Sequence, residues 1–425
     1  MNCGVELDWP APQPAGPVGA TVRLPGSKSL TNRALVLAAL ADGPSRLSQP
    51  LVARDTQLMA AALTALGASI DTGDGTWSVR PLADRDEADV DCGLAGTVMR
   101  FVPPVAAVSR AVAHFDGDPR ARERPMSATI ASLRHLGVEV DDGGRGTLPF
   151  TVHGTGAVTG GPLTVDASAS SQFVSALLLV APRFEAGLDL RHVGDALPSM
   201  PHVEMTVTEL RRRGVEVDVE PGRWQVAPGP IAAIDLTIEP DLSNAGAFVA
   251  AALATGGEVR VRDWPQSTDQ AGDAWRDLTE RFGGAWRRDG DDVVFSGPER
   301  LSGVDLDLRD VGELTPVVAA LAALAEGPST ITGVSHLRGH ETDRLAALTR
   351  EISGLGGLVT ERSDGLDLRP APLHGGRFAT YDDHRMAHAG AVLGLVVPGV
   401  VVQNIDTTAK TYPGFAADWA VMVSA

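Results

Sequence analysis

LPGSKSLTNR, residues 24–33, joins a Pro-Gly turn to a cluster of small polar and basic residues, and an alanine- and leucine-rich helix follows at once. The free N–H groups of the first helical turn, the positive end of the helix dipole and the cations Lys28 and Arg33 together predict an anion site. A nucleotide-binding phosphate loop is excluded, because Ser27 precedes the lysine where that motif requires glycine. Taken alone, the stretch fits an ordinary serine-capped helix with surface charges equally well.

The bulk composition limits the classes of function. The chain has 425 residues, 44% of them hydrophobic, which predicts two or three globular domains with ample core. Its net charge of −18 argues against a nucleic-acid partner, since binding to a phosphate backbone requires a basic face. A small anionic substrate is compatible with this charge, because it responds to the local charge of a cleft.

The cysteines and the apolar segments predict a cytoplasmic protein without a membrane anchor. Cys3 and Cys92 are too few for a disulfide framework or a metal cluster. The N-terminal segment carries Glu6 and Asp8 rather than basic residues before an apolar core, so no signal peptide is expected. The most apolar stretch, residues 389–402, is interrupted by glycines and a proline, which argues against a membrane span.

One pattern recurs five times along the chain: leucines at helical spacing, a glycine, and two β-like runs joined by a turn. The glycines that follow the helical segments are Gly67, Gly137, Gly214, Gly283 and Gly357. The copies lie roughly 70 to 77 residues apart, which is the mark of an internal repeat. Each glycine fits the left-handed position after a helix, and the paired runs predict β-hairpins.

A second helical segment precedes each copy, and a sixth such segment begins at His384. The sixth unit lacks a closing hairpin, so the N-terminal segment near residues 5–8 is expected to supply the missing strands. Six βαβ-type units pack best as two globular domains of three units each. The predicted domains are residues 23–239 and residues 240–425, the latter closed by residues 1–22.

Unusual polar residues fall at equivalent points of the repeat, at the starts of the two helices in each unit. The first helices begin near Lys28-Ser29, Gly96-Thr97, Ser170-Ser171-Gln172, Ser243-Asn244, Asp310 to Glu313, and Asp383-His384-Arg385. The second helices begin near Asp55, Arg124, Ser199, His340-Glu341 and Lys410. Helix capping alone does not explain the cations at these positions, so we predict a site for several negative charges. Its acid/base candidates are Glu313, Glu341 and His384.

Each of these residues also has a purely structural interpretation. Ser243 is most simply an N-cap residue. Arg344 is equally able to pair with Asp343 or Glu341 on a helix surface. A single histidine such as His384 is more often a satisfied polar residue than a catalyst. The functional interpretation therefore depends on the position that these residues share within the repeat.

Seven segments of the chain carry a resemblance to a known family. They are LPGSKSLTNRAL (24–35), CGLAGTVMRF (92–101), DPRARERPM (118–126), SASSQFVSALLL (168–179), RGHETDRLAAL (338–348), YDDHRMAHAG (381–390) and TAKTYPGF (408–415). In this order, and over nearly the whole chain, they resemble the EPSP synthase (3-phosphoshikimate 1-carboxyvinyltransferase) family of enolpyruvyl transferases. The resemblance implies an α/β (α+β) fold of two domains, each of three βαβαββ units, arranged as an inside-out α/β barrel with an internal six-fold repeat.

The resemblance also implies a reaction. The 5-hydroxyl of shikimate 3-phosphate adds to C2 of phosphoenolpyruvate, and inorganic phosphate is then eliminated. No metal or organic cofactor is implied, and the expected partners are these two small anionic substrates, with the protein acting as a monomer. Because both substrates carry a phosphate and a carboxylate, the site needs many cations and N–H donors. It also needs one group that protonates C3 of phosphoenolpyruvate and one that accepts the hydroxyl proton.

By position, the resemblance assigns roles to individual residues. Glu341 is expected to donate the proton to C3, with Lys28 close by and His384 assisting. The residues expected to bind shikimate 3-phosphate are Lys28, Ser29, Arg33, Ser170, Ser171, Gln172, Ser199, Glu313 and His340. Those expected to bind phosphoenolpyruvate are Lys28, Gly96, Arg124, Gln172, Arg344, Arg385 and Lys410.

Three positions depart from the family's usual pattern. Leu94 stands where an asparagine is usual beside Gly96, which puts one polar contact near phosphoenolpyruvate in question. His340 stands where a lysine is common, and a neutral imidazole adds less charge. Glu313 takes the place of the usual aspartate on the hydroxyl side, and Asp310, three residues earlier, is the rival assignment.

Two other functions stay open. Enolpyruvyl transfer to UDP-N-acetylglucosamine is typical of a sister branch with a Lys-Asn pair and a loop cysteine. Here Ser29 follows Lys28, and neither cysteine lies near Arg124 in the chain. A catalytically inactive binding relative is the second alternative, and loss of Lys28, Arg124 or Glu341 would favour it. All three residues are present.

Overall fold

The computed structural model of the chain describes residues 8–73 and 75–424. These residues form two compact units. The unit Gly26–Glu239 is called the central unit below. The other, which joins residues 8–25 to residues 240–424, is called the terminal unit.

Within each unit, a backbone hydrogen bond joins residues close to the two points where the chain passes from one unit to the other. In the central unit Ser27 N donates to Glu239 O at 2.8 Å, and in the terminal unit Asp241 N donates to Pro25 O at 2.9 Å. The chain leaves the terminal unit after Pro25, three residues later than the sequence predicts. The reason is that Leu24 is still buried in the terminal unit's core.

The central unit contains six helices and twelve strands among its described residues. The two strands that precede it in the chain, β1 (Asp8–Pro10) and β2 (Gly19–Val22), belong to the terminal unit. The elements of the central unit are α1 (Lys28–Ala39), β3 (Ser45–Ser48), α2 (Arg54–Ala65), β4 (Ser69–Asp71), β5 (Thr76–Arg80), β6 (Glu87–Asp91), α3 (Gly96–Val108), β7 (Val112–Asp116), α4 (Ser127–His135), β8 (Glu139–Asp141), β9 (Phe150–His153), β10 (Gly161–Asp166), α5 (Gln172–Val180), β11 (Leu188–Val193), α6 (Met200–Arg212), β12 (Val217–Glu220), β13 (Arg223–Val226) and β14 (Leu236–Thr237).

The rest of the terminal unit repeats this alternation. Its elements are α7 (Leu242–Thr255), β15 (Glu258–Val261), α8 (Trp275–Arg281), β16 (Ala285–Asp289), β17 (Asp292–Ser296), β18 (Asp305–Asp307), α9 (Thr315–Leu324), β19 (Ser329–Thr332), α10 (Arg344–Gly354), β20 (Leu358–Glu361), β21 (Leu366–Arg369), β22 (Gly376–Phe378), α11 (His384–Val396), β23 (Val400–Gln403) and α12 (Phe415–Ser424).

The described residues of the central unit form three four-stranded sheets with one common strand order. The orders are β14-β3-β5-β4, β6-β7-β9-β8 and β10-β11-β13-β12. In each sheet the first two strands are parallel and the last two form an antiparallel hairpin. The predicted three-fold repeat of βαβαββ units is therefore confirmed. The first sheet takes its leading strand, β14, from the far end of the unit, which local sequence patterns do not reveal.

The sheets of the terminal unit show how the chain's beginning completes the repeat. Their orders in the described residues are β2-β15-β17-β16, β18-β19-β21-β20 and β22-β23-β1. Strand β1 runs antiparallel to β23, with Trp9 opposite Val402, and thus takes the place of the missing hairpin strand. The N-terminal segment is predicted to close the sixth unit, and its described part, β1, pairs with β23. Residues 5–7 of that segment lie outside the described residues.

Three helices pack against one another at the centre of each unit. They are α1, α3 and α5 in the central unit, and α7, α9 and α11 in the terminal unit. Each is buried on nearly every side, as an apolar helix in a protein interior should be. Small residues permit the close contacts: a Cβ on Gly246 of α7 would stand 2.5 Å from the ring of Trp275. Helices thus lie inside and sheets outside, as the resemblance implied. No helix within the described ranges has both the length and the hydropathy of a membrane span.

Left-handed glycines follow the second helix of a unit, as predicted. Gly67 has φ +114° and Gly214 has φ +78°. In the fifth unit the left-handed residue is Gly356, with φ +91°, rather than Gly357. The reason is that α10 ends at Gly354 with Leu355 as its cap, and the left-handed position comes directly after the cap.

Candidate active site

The start of α1 presents Lys28 at the N-terminal end of a buried helix. Ser27 caps this helix by accepting a hydrogen bond from Leu30 N at 3.4 Å. The Lys28 Nζ lies 3.4 Å from Asp55 Oδ2, in the first turn of α2. The Lys28 side chain is 19% exposed and that of Asp55 only 3%, so the carboxylate is the buried partner. Asp55 therefore holds the predicted lysine at the helix end.

Arg33, one turn into α1, makes structural contacts in the central unit. Its guanidinium donates to Thr206 Oγ1 at 2.8 Å, to the His202 carbonyl at 2.7 Å and to the Ser29 carbonyl at 3.1 Å. It also stacks over the Phe101 ring, 5.3 Å from the ring centroid. Burial lowers the pKa of Arg33 to about 10, so the side chain stays charged at neutral pH. These contacts join α1 to α3 and α6.

Gly96, the first residue of α3, lies between two guanidinium groups. A Cβ at this position would stand 3.0 Å from Arg124 Nη2 and 3.2 Å from Arg100 Nη1. Arg124 donates to the Leu94 carbonyl at 3.3 Å, and its buried Nε has no hydrogen-bond partner among the described residues. Arg100 donates to the Pro125 carbonyl at 3.3 Å. A helix N-terminus flanked by two arginines is suited to a phosphate or carboxylate group.

The remaining predicted residues of the central unit lie at the starts of α5 and α6. Ser170 Oγ accepts a hydrogen bond from Gln172 N at 3.2 Å, which is an ordinary capping contact. The side-chain oxygen of Gln172 is buried and has no hydrogen-bond partner within residues 8–73 and 75–424. Ser171 is buried. Ser199, half-buried before α6, has the left-handed φ of +55°.

The terminal unit holds Glu341 between two cations. Lys410 Nζ donates to Glu341 Oε1 at 2.8 Å, and Arg344 Nη2 donates to Oε2 at 3.1 Å. Arg344 also makes a bidentate contact with Asp383, at 2.7 and 3.1 Å. Burial lowers the pKa of Arg344, but the carboxylates of Asp383 and Glu341 outweigh burial, so this pKa lies above its ordinary value. Of the two pairings that the sequence left open for Arg344, with Asp343 or with Glu341, the one with Glu341 forms, but it is buried rather than on a helix surface.

Arg385 and Glu313 belong to the same cluster of charges. Arg385 Nη1 donates to the Ser243 carbonyl at 2.9 Å, and Ser243 Oγ donates to Glu313 Oε1 at 3.4 Å. Burial lowers the pKa of Arg385, and Asp241 and Glu313 partly offset that effect. Asp310, in the same 3-10 turn as Glu313, is exposed. Of these two acids, Glu313 is the one linked to Arg385 through Ser243.

Two histidines border the cluster at its predicted positions. His340 is half-buried, with Nδ1 3.4 Å from Arg344 Nη1. His384 is buried at the start of α11, with Nδ1 3.9 Å from Asp383 Oδ1. Asp383 is the N-cap of α11 and accepts a hydrogen bond from Arg385 N at 2.9 Å.

A third histidine, His336, was not predicted. Its Nε2 would lie 2.5 Å from a Cβ on Gly312, and it has no hydrogen-bond partner in the described part of the chain. Burial lowers the pKa of His336 to about 4, with Glu313 opposing and Arg344 reinforcing that shift. His336 is therefore neutral at pH 7, next to the predicted acid Glu313.

This histidine should make the protein sensitive to acid. Between about pH 6.5 and 4, His336 takes up a proton in the unfolded chain but not in the folded one, so stability is lost as the pH falls. We expect His336→Gln to reduce the slope of unfolding free energy against pH by about 1 kcal/mol per pH unit near pH 5. Urea unfolding from pH 4.5 to 8.5 measures this slope. Above pH 7.5 the unfolding free energies of the variant and the parent protein should change with pH by the same amount. Equal slopes near pH 5 would contradict the prediction.

Among the residues that support the predicted ones, the sequence names Asp383 and Asp55 at helix starts but does not single out Arg100. Asp383 and Arg100 stand inside quoted motifs, and Arg100 follows Gly96 by four residues, which places it on the same helix face. That spacing was an available signal. Asp55 was noted only for its position, and its ion pair with Lys28 depends on how α1 and α2 pack.

Known proteins resemble this chain over nearly its whole length. The family described as EPSP synthase (3-phosphoshikimate 1-carboxyvinyltransferase) matches residues 12–419. The 3-phosphoshikimate 1-carboxyvinyltransferase of Kocuria rhizophila is 57% identical, over 98% of this chain and 96% of that protein.

Solved structures share the fold. An EPSP synthase from Acinetobacter baumannii superposes with a TM-score of 0.80 at 22% identity, covering 98% of both chains. The enolpyruvyl transferase NikO from Streptomyces tendae superposes with a TM-score of 0.75 at 20% identity, covering 96% of both. The match of a family over nearly the whole chain, joined to a relative of 57% identity, leads to one conclusion. The chain belongs to the EPSP synthase family.

Proposed function

We propose that the protein transfers the enolpyruvyl group of phosphoenolpyruvate to the 5-hydroxyl of shikimate 3-phosphate and releases inorganic phosphate. Membership of the family and the named relative of 57% identity support this reaction. The observation that carries the proposal is the position of Glu341, an acid held between Lys410 and Arg344 in a cluster of buried cations. Such a site suits an anionic substrate that must also receive a proton.

The substrate charges match groups in both units. In the central unit, Lys28, Gly96 and Arg124 are proposed to bind phosphoenolpyruvate, and the cradle between Arg100 and Arg124 supports this. In the terminal unit, the residues proposed to bind phosphoenolpyruvate are Arg344, Arg385 and Lys410. The groups proposed for shikimate 3-phosphate are Lys28, Ser29, Arg33, Ser170, Ser171, Gln172, Ser199, Glu313 and His340, and Gln172 is proposed to touch both substrates.

The acid/base steps fall to two carboxyl groups of the terminal unit. Glu313 accepts the proton of the 5-hydroxyl as its oxygen bonds to C2 of phosphoenolpyruvate, and Glu341 gives a proton to C3. Bound anions compete with Glu341 for Lys410 and Arg344, and a carboxyl beside bound anions holds its proton more readily. The Glu341 carboxylate then takes a proton back from C3 as the C–O bond to phosphate breaks, which restores the double bond and releases inorganic phosphate. Lys28 is proposed to assist by its charge, and His384 by a hydrogen bond.

Phosphate release tests this proposal. The purified protein is incubated with phosphoenolpyruvate and either shikimate 3-phosphate or UDP-N-acetylglucosamine, and inorganic phosphate is measured over time. Release with shikimate 3-phosphate alone is the expected result. Release with the nucleotide sugar alone would support the sister activity, and no release from folded protein with either acceptor would support a binding relative.

We further propose that the protein works as a cytoplasmic monomer without a nucleic-acid partner. The net charge of −18 supports the last point, because a nucleic acid would be repelled. Light scattering coupled to size-exclusion chromatography measures the oligomeric state, and a mass near 44.2 kDa is expected.

A further inference from the structure

The segment that leads into α11 has an unusual backbone. Tyr381 and Asp382 both have φ of +55°, and neither is glycine. Left-handed conformations of such residues are costly and persist only where the surrounding structure holds them. The residues that directly follow are Asp383, His384 and Arg385, which belong to the candidate active site.

One buried carboxylate holds this segment. Glu351, on α10, is 8% exposed. Its Oε2 accepts a hydrogen bond from Ala379 N at 2.8 Å, and its Oε1 accepts one from the Tyr381 hydroxyl at 2.5 Å. We call these two contacts the clamp. A carboxylate suits this task because it offers two acceptors side by side to two donors.

The same helix also holds the other end of the segment. Arg344 precedes Glu351 by seven residues, about two helical turns, so both side chains leave the same face of α10. Arg344 makes the bidentate contact with Asp383, while Glu351 binds Ala379 and Tyr381. Helix α10 thus makes hydrogen bonds to this segment both before and after the left-handed residues of the segment.

A third contact steadies the segment's middle. The side-chain amide of Asn404 donates to Asp382 Oδ1 at 2.7 Å, and Asn404 itself is left-handed, with φ +51°. Asn404 directly precedes the 3-10 turn Ile405–Lys410. The positions of Arg385 and Lys410 are therefore both linked to the same short segment.

We propose that Glu351 and Tyr381 are positioning residues for enolpyruvyl transfer: their clamp keeps residues 381–382 left-handed and so orients Arg344 and Arg385 toward the phosphate and carboxylate of phosphoenolpyruvate. Neither residue needs to touch substrate. The assignment of that substrate rests on the proposed function, whereas the clamp itself rests on the contacts within the terminal unit.

Three variants separate the parts of the clamp. Glu351→Ala removes both acceptors. Tyr381→Phe removes only the hydroxyl contact. Glu351→Gln should rescue, because its oxygen can accept from Ala379 N while its NH2 group donates to the Tyr381 oxygen. Ile352→Val is the matched control, since it alters a fully buried neighbour on the same helix and leaves the clamp intact.

Steady-state kinetics test the positioning role. We expect Glu351→Ala to lower kcat/KM for phosphoenolpyruvate by about 10²-fold, as displaced charged groups typically do. Tyr381→Phe should lower it by a smaller factor, and Glu351→Gln should stay close to the parent protein. The KM for shikimate 3-phosphate should change by less than about 3-fold, because most groups proposed for it lie in the central unit.

Ile352→Val should lower Tm slightly and leave all kinetic constants unchanged. Kinetic constants of Glu351→Ala that equal those of Ile352→Val would overturn the positioning role.

Hydrogen exchange tests the clamp without any substrate. Amides of residues 379–385 should exchange at least about 10-fold faster in Glu351→Ala than in the parent protein, because their conformation is no longer held. Ile352→Val should not show this local effect. Unchanged exchange in Glu351→Ala would overturn the clamp even if the parent protein proved inactive. An inactive parent with normal clamp behaviour would instead count against the proposed function.

Discussion

Replacement of Glu341 by glutamine is expected to leave both substrates binding but to lower kcat by about 10²-fold or more. Glutamine keeps the size of the side chain and one acceptor oxygen, so the contacts with Lys410 and Arg344 are partly preserved. Its amide cannot deliver a proton to C3 of phosphoenolpyruvate. The loss should therefore appear in kcat far more than in KM.

Phosphate-release kinetics and calorimetric titration with each substrate measure the two effects. Glu326→Gln is the matched control, because this substitution also removes one carboxylate charge from the terminal unit. Glu326 forms an exposed ion pair with Arg300. The control variant should be indistinguishable from the parent protein. A kcat of Glu341→Gln within about 5-fold of the parent would remove Glu341 from the acid/base steps.

Replacement of Lys28 by methionine should affect kcat/KM rather than kcat alone. Methionine has a similar length but no charge, so a cation proposed to contact both substrates is lost. We expect kcat/KM for each substrate to fall by about 10³-fold. Stability should fall as well, by about 1–3 kcal/mol, because the buried Asp55 loses the partner that lies 3.4 Å away.

A double variant separates these two consequences. Lys28→Met with Asp55→Asn removes the uncompensated carboxylate, so Tm should recover while activity stays low. Arg183→Met, which breaks an exposed ion pair with Asp42, is a control for loss of a cation in the central unit and should change neither property. Recovery of activity together with Tm would mean that Lys28 acts only through stability.

The repeat was predictable because its signals are local. A left-handed glycine after a helix, a capping serine before one and paired β runs each involve residues a few positions apart. For the fifth unit the sequence places the glycine only around residue 357, since where α10 ends depends on its packing. The strands β2 and β14 are supplied from distant parts of the chain, and no short pattern marks such partners.

For the candidate site, the sequence predicted the residues that are proposed to meet substrate but not all of the residues that support them. The motifs named Lys28, Gly96, Arg124, Glu341 and Arg385 because these residues recur at helix starts and match a family. Glu351 and His336 were not predicted, since both lie outside every quoted motif. Their importance arises from burial and from partners tens of residues away.

The amino-acid sequence by itself determined the six-unit repeat, the close of the sixth unit by the chain's beginning and the family. Tertiary structure decided which charges meet. Arg344 and Asp383 are 39 residues apart in the chain, and Lys410 and Glu341 are 69 apart. Such pairs form only when α10, α11 and the turn Ile405–Lys410 pack together. Burial then removes competing water, so each ionic contact depends on geometry that no local pattern encodes.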